Sequence, residues 1–198
     1  MSAPLVSIIG PVGVGKTTLA GLLAADMGGQ LIREDYAGNP FLAASYAGSD
    51  EARLPSQVYF LMSRASQLAA HVWPEQGLCV ADYGFCQDRV FARLRLGDAD
   101  YALYDRIARQ VEPLVRPPSV MVCLHACTAT LLARIAGRGR DFERGMTAAL
   151  LEAMAKAYDE ICERAACSVI RVDCDRTDLR QADQRAGLNA QVSAVLRS

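Results

Sequence analysis

The run Gly10-Pro11-Val12-Gly13-Val14-Gly15-Lys16-Thr17 fits the spacing G-x-x-x-x-G-K-[ST] and stands between an apolar run, Leu5–Ile9, and a segment of helical period. In that context the glycines let backbone N–H groups turn inward around phosphate oxygens, and the helix start adds the positive end of a dipole. Lys16 can bridge the outer phosphates, Thr17 can ligate Mg²⁺, and Thr18 is counted with the loop as a binding residue. The pattern predicts nucleotide binding without separating a kinase from a GTPase or an ATPase motor. The chain has no N-K-x-D guanine-reading motif and is short for a motor's coupling elements, so a compact phosphotransferase fits best.

Further candidates follow later apolar runs, where α/β sheets place their ligands. Glu34 lies just past the second run, Asp82 just past the third, and Arg134, Arg138 and Arg140 past the fourth. A carboxylate near a phosphate loop can be the general base for an acceptor hydroxyl or a partner of Mg²⁺, which makes Thr17 and Asp82 the candidate metal residues. The basic, glycine-containing stretch 138–144 looks like a lid that neutralises charge on a transferring phosphoryl group. Cys123-x-His125-x-Cys127 shares one strand face, but its single-residue spacing is shorter than metal pairs use, so packing is expected. His71 is expected exposed or capping, Trp73 and Tyr59 packed, and Phe85 and Phe91 suit either base stacking or the core.

The elements that must position these residues alternate short apolar runs with longer helical stretches, the pattern of a parallel sheet covered by helices. Strands are expected at Leu5–Ile9, Gln30–Glu34, Leu78–Ala81, Val120–Leu124 and Ser168–Val172. Helices are expected at Thr17–Met27, Pro55–Val72, two within 85–115 broken near Gly97, Thr130–Gly137, Met146–Ala165 and 178–196. Residues 35–50 read as a loop with one helical turn. The expected fold is α/β, a P-loop NTPase-type three-layer sandwich with about five parallel strands and helices on both faces. It forms a single domain over 1–198, with a lid at about 137–145.

Composition agrees with that class. The chain has 198 residues, 52% hydrophobic, with 21 Lys+Arg against 22 Asp+Glu. A chain this long buries about 70% of its unfolded surface and needs no disulfide or metal staple. A net charge of −1 and a pI near 6.1 argue against general nucleic-acid binding. No secretion signal or membrane span is read in it, and seven cysteines without a C-x-x-C pair read as thiols in a reducing cytoplasm.

From the phosphate loop to about Tyr158 the chain resembles the deoxynucleoside kinases. Glu34 followed by Asn39-Pro40-Phe41-Leu42 is similar to that family's glutamate and Asn-Pro segment, which implies that Glu34 is the base for the sugar 5′-hydroxyl. Tyr46 precedes Gln57 by the family's spacing, implying a 3′-hydroxyl-binding tyrosine and a base-reading glutamine. Gln57-Val58-Tyr59-Phe60-Leu61-Met62-Ser63-Arg64 resembles the family's Gln…Phe-Leu…Arg helix, and Gln57 and Arg64 fall on one helical face. Arg134-Ile135-Ala136-Gly137-Arg138-Gly139-Arg140-Asp141-Phe142-Glu143 is similar to the family lid, implying arginines on ATP and Glu143 on the sugar 3′-hydroxyl.

The resemblance further implies ATP and Mg²⁺ as cofactors, a nucleoside substrate and a homodimer. Arg64 with an aspartate such as Asp88 implies a purine or cytosine base over thymine, with deoxyadenosine or deoxyguanosine ahead of deoxycytidine; here Asp88 would accept from an exocyclic amino group. One departure stands out: the family has arginine after its third-strand carboxylate, and here the sequence is Asp82-Tyr83-Gly84. The segment from Asp82 to Phe91 is also one residue shorter than the family's, which bears on the place of Asp88. Arg89 either reaches the site instead or is a surface charge. A thymidylate-type monophosphate kinase and a catalytically weak nucleotide-binding module remain the alternatives.

Overall fold

Every residue of Leu5–Ile9 (β1) is buried, so this strand is covered on both faces, the condition of a strand inside a parallel sheet. A computed structural model describes residues 2–143 and 145–197. The remaining strands are Gln30–Ile32 (β2), Cys79–Ala81 (β3), Val120–His125 (β4) and Ser168–Asp173 (β5). They form one sheet in the order β2-β3-β1-β4-β5, with every pair parallel. The register sets Val6 beside Val80 on one side and Val120 on the other.

The helices are Lys16–Met27 (α1), Leu42–Tyr46 (α2), Asp50–Gln67 (α3), Gln87–Arg95 (α4), Asp98–Val111 (α5), Thr128–Arg138 (α6), Ala148–Glu163 (α7) and Ala182–Arg197 (α8). Successive strand residues point to opposite faces. Val6, Ile8 and Val80 accordingly join Leu19, Ala20 and Leu23 of α1 in the larger core. Leu5, Cys79 and Ala81 instead meet Leu68, Tyr83 and Val115 in a second cluster. The result is the expected three-layer α/β fold. No helix among the described residues is long and apolar enough to cross a membrane.

Several boundaries differ from the sequence reading, most of them by one to four residues. The helix expected from Pro55 starts at Asp50, where Asp50 and Glu51 complement the positive helix end, and Pro55 lies inside it. It ends at Gln67, and His71 sits exposed in a separate 3₁₀ turn, Ala70–Val72. The second strand stops at Ile32 because the next ladder donor, the Glu34 N–H, bonds the Asp82 side chain at 2.7 Å. Cys123 is buried in β4, whereas Cys127 lies beyond the strand at the start of α6 and is exposed, so the three residues do not share a strand. Trp73 packs as expected and donates its indole N–H to Ala3 O at 2.8 Å. Tyr59 does more than pack: its hydroxyl donates to Asp35 Oδ2 at 2.5 Å.

Candidate active site

The phosphate loop leaves β1 at the point where the strand order turns from β3 on one side to β4 on the other, the usual ligand crevice of an open α/β sheet. Its shape depends on glycine. A Cβ on Gly10 would lie 2.4 Å from Leu124 O, and Gly15, which caps α1, holds φ at +108°. Lys16 Nζ donates to Gly10 O at 2.8 Å and Pro11 O at 3.1 Å. Burial brings the Lys16 ammonium down to about 8, with nearby Arg138 acting in the same direction.

Asp82, at the carboxyl end of β3, joins the loop to the acceptor side. Its Oδ2 accepts from the Thr17 hydroxyl at 2.6 Å, and its Oδ1 accepts from the Glu34 N–H at 2.7 Å. A hydroxyl and a hard carboxylate oxygen side by side suit Mg²⁺, which takes one or two protein oxygens and completes its shell with water and phosphate. The donor set fits that ion.

Glu34 is held from two helices. Arg64 of α3 donates to Glu34 Oε1 through both Nε and Nη2, and Gln87 of α4 donates to the same oxygen at 3.0 Å. Arg64 also pairs with Asp88 through Nη1, so one buried guanidinium lies between two carboxylates. Burial works against its charge, but Glu34 and Asp88 outweigh that and hold Arg64 above the ordinary arginine range. Burial pushes Asp88 up to about 6 against the pull of Arg64. The segment that looks short in sequence therefore does bring Asp88 opposite Arg64.

Asp88 is 1% exposed and accepts from Gln57, Arg64 and Tyr104, the last at 3.0 Å, so its carboxylate is engaged by protein donors behind the cleft wall. Gln57 Nε2 donates to Asp88 O at 3.1 Å and Asp88 Oδ1 at 2.7 Å, which uses both of its N–H groups and leaves only its carbonyl oxygen free. Asn39 locks this half of the cleft, its buried amide donating to Ser56 O and Oγ, both at 3.1 Å, one residue before Gln57 on α3.

The lid folds over the same cleft. Arg138 makes a forked pair with Glu143, Nη2 lying 2.6 Å from Oε1, and Arg140 Nη1 is 3.5 Å from Oε1. Glu143 is thus engaged by Arg138 and Arg140. Arg134 stands behind the loop, donating to Val14 O at 3.2 Å and Cys174 O at 3.0 Å. Arg144, part of the expected basic stretch, lies outside the described residues.

One cleft is lined by Lys16, Thr17, Thr18, Glu34, Tyr46, Gln57, Arg64, Asp82, Arg138, Arg140 and Glu143, together with Val12, Gly13 and Gly15 of the loop. Arg89 does not reach it and instead pairs with Asp105 and Glu112. Phe91 lines the cleft, while Phe85 packs in the core. Sequence reasoning missed four contributors. Arg95 lies over the Tyr46 ring at 3.8 Å, the ring of Tyr36 lies under Arg140 at 4.2 Å, and Phe142 packs edge-on against Tyr46 at 5.6 Å. Gln87 is the fourth. Of these only Phe142 lies inside a recognisable motif, at one of its unspecified positions.

Sheet order, loop and cleft define a P-loop nucleotide-binding α/β protein. A family model described as deoxynucleoside kinase matches residues 6–196, and the chain belongs to that family. It is 30% identical over 185 residues to a deoxyguanosine kinase of Bacillus subtilis, covering 89% of each chain. It is also 28% identical over 190 residues to a deoxyadenosine/deoxycytidine kinase of the same organism, covering 88% of this chain and 84% of that one. The deoxyadenosine kinase of M. mycoides, solved with bound dCTP, shares the fold at a TM-score of 0.82 and 22% identity, over 96% of this chain and 99% of that one. The chain is a phosphotransferase acting on deoxynucleosides.

Proposed function

We propose that this kinase moves the γ-phosphoryl group of ATP to the 5′-hydroxyl of a deoxynucleoside whose base carries an exocyclic amino group. The observation that carries this reading is the Glu34–Arg64–Asp88 chain, which joins a general base beside the phosphate loop to a base-reading glutamine.

Glu34 takes the proton of the 5′-hydroxyl as its oxygen bonds to the γ-phosphorus. The bond from that phosphorus to the bridging oxygen breaks, and its electron pair leaves with ADP. Lys16, Arg138 and Arg140 meet the charge that builds on the transferring group. Thr17 and Asp82 would hold Mg²⁺, which when bound neutralises charge on the β- and γ-oxygens. Arg134 supports the donor side through the loop backbone. Tyr46 and Glu143 select the sugar through its 3′-hydroxyl once substrate exchanges with the lid arginines for Glu143.

Gln57 is left with an acceptor alone, which suits a donor on the base edge such as the exocyclic amino group of adenine, guanine or cytosine. The chain would act as one P-loop kinase domain over 1–198, with residues 137–145 as its lid, and as a cytoplasmic homodimer of the kind the resemblance implies. ADP release over a panel of four deoxynucleosides and their monophosphates tests the reading. Deoxynucleosides are expected as acceptors and thymidine as the poorest, with Glu34→Gln lowering turnover by about 10²–10⁴. A preference for monophosphates or thymidine, or a Glu34→Gln variant at the wild-type rate, would overturn it.

A further inference from the structure

Gln87 has no part in the scheme above, yet it is built into the site. It is 1% exposed, sits in the first turn of α4 and lines the same cleft as Glu34 and Arg64. Its Nε2 donates to Glu34 Oε1 at 3.0 Å, and its own Oε1 is buried without a hydrogen-bond partner. A glutamine serving only the core would have both ends satisfied, because a buried orphan acceptor costs about 1–3 kcal/mol. The position where the family carries arginine is instead Tyr83, which is fully buried and donates to Gln67 Oε1 at 2.6 Å, away from Glu34.

We infer that Gln87 is a positioning residue for the general base: its amide N–H fixes the Glu34 carboxylate from α4 while Arg64 fixes it from α3. The inference rests on the assignment of Glu34 as the base. Three N–H groups on one oxygen, arriving from two helices, leave Glu34 little freedom to rotate. Its other oxygen has no partner among the described residues and is the one available to a substrate hydroxyl. The charged groups around Glu34 are Lys16 of α1, Arg64 of α3, Asp82 after β3 and Asp88 of α4. Gln87 is the neutral member of that set. It orients the carboxylate without adding to the positive charge of Arg64.

The test compares wild type with Gln87→Leu and Gln87→Glu in steady-state phosphorylation of the best deoxynucleoside, beside thermal melts. Gln87→Leu is expected to lose roughly tenfold in kcat with the KM for ATP unchanged, the scale of one hydrogen bond to a charged group. Gln87→Glu replaces the donor by a carboxylate that repels Glu34 and is expected to lose more kcat, again with the KM for ATP unchanged. Should Gln87→Leu fail to fold, the split between kcat and KM in Gln87→Glu decides alone. A Gln87→Leu kcat within twofold of wild type, or a Gln87→Glu loss that falls equally on kcat and on the KM for ATP, overturns the inference while the kinase assignment stands. A wild-type chain that phosphorylates no deoxynucleoside overturns both.

Discussion

Lys16 shows burial and function pulling in opposite directions. Withdrawal from water brings its ammonium down to about 8, whereas a bound triphosphate would favour the charged form. At about pH 8 a large share of free molecules is then neutral at Lys16 and must take up a proton as nucleotide binds; at about pH 6.5 nearly all are charged and none is needed. Calorimetric titration with ATP in two buffers of different ionisation heat should show this uptake growing through pH 8, and Lys16→Met should abolish it. Uptake that does not change with pH would remove Lys16 as its source. At this scale the sequence speaks clearly where a role depends on local spacing: Lys16 and Thr17 are read from one motif, and Gln57 and Arg64 from one helical face. It is silent about Gln87 and Arg95, whose meaning comes from Glu34 and from Ser45, whose carbonyl Arg95 meets at 2.8 Å, 53 and 50 positions away.

Among the elements, strands were the easiest to read because burial on both faces leaves a plain apolar run, as in Val120–Leu124, which the structure extends by one residue to His125. Helix ends were harder, since caps and acidic first turns compete with proline as start signals. The lid side shows a cap that is doing identifiable work. Thr147 precedes α7, and its hydroxyl accepts from the Leu150 N–H at 3.2 Å. Thr147→Ala should lower unfolding stability by about 1 kcal/mol in urea titration, with no change in the KM for nucleoside. An unchanged midpoint would mean the helix start is held by its packing alone. The start of α7 matters to the fold because its Tyr158 and Met154 join the larger core.

Across the whole molecule, the order of the strands was the least legible feature, because parallel neighbours are chosen by contacts between residues far apart in the chain. The closing contact is of the same kind. Arg185 of α8 donates to Asp26 of α1 at 2.6 Å and to Leu179 O at 3.0 Å, fastening the last helix to the first. The hydrogen bonds from Arg185 and Asn189 hold the Asp26 carboxyl below its ordinary range. A carboxylate lowered in this way stabilises the fold above its unfolded-state value and loses that contribution as pH falls through its folded one. Arg185→Met should therefore lower Tm at neutral pH and narrow the gap to wild type below about pH 4; an equal gap at both would place the effect in packing instead. At the centre of the molecule, Arg64 ties Glu34, beyond β2, to Asp88 of α4. Replacing Arg64 alone strands the buried Asp88 carboxylate, at about 3–5 kcal/mol, and at the same time releases Glu34, the residue proposed as the base. On the proposed reading, substrate preference and turnover are thus inherited together: mutational drift at Arg64 toward another nucleobase is blocked until Asp88 changes with it.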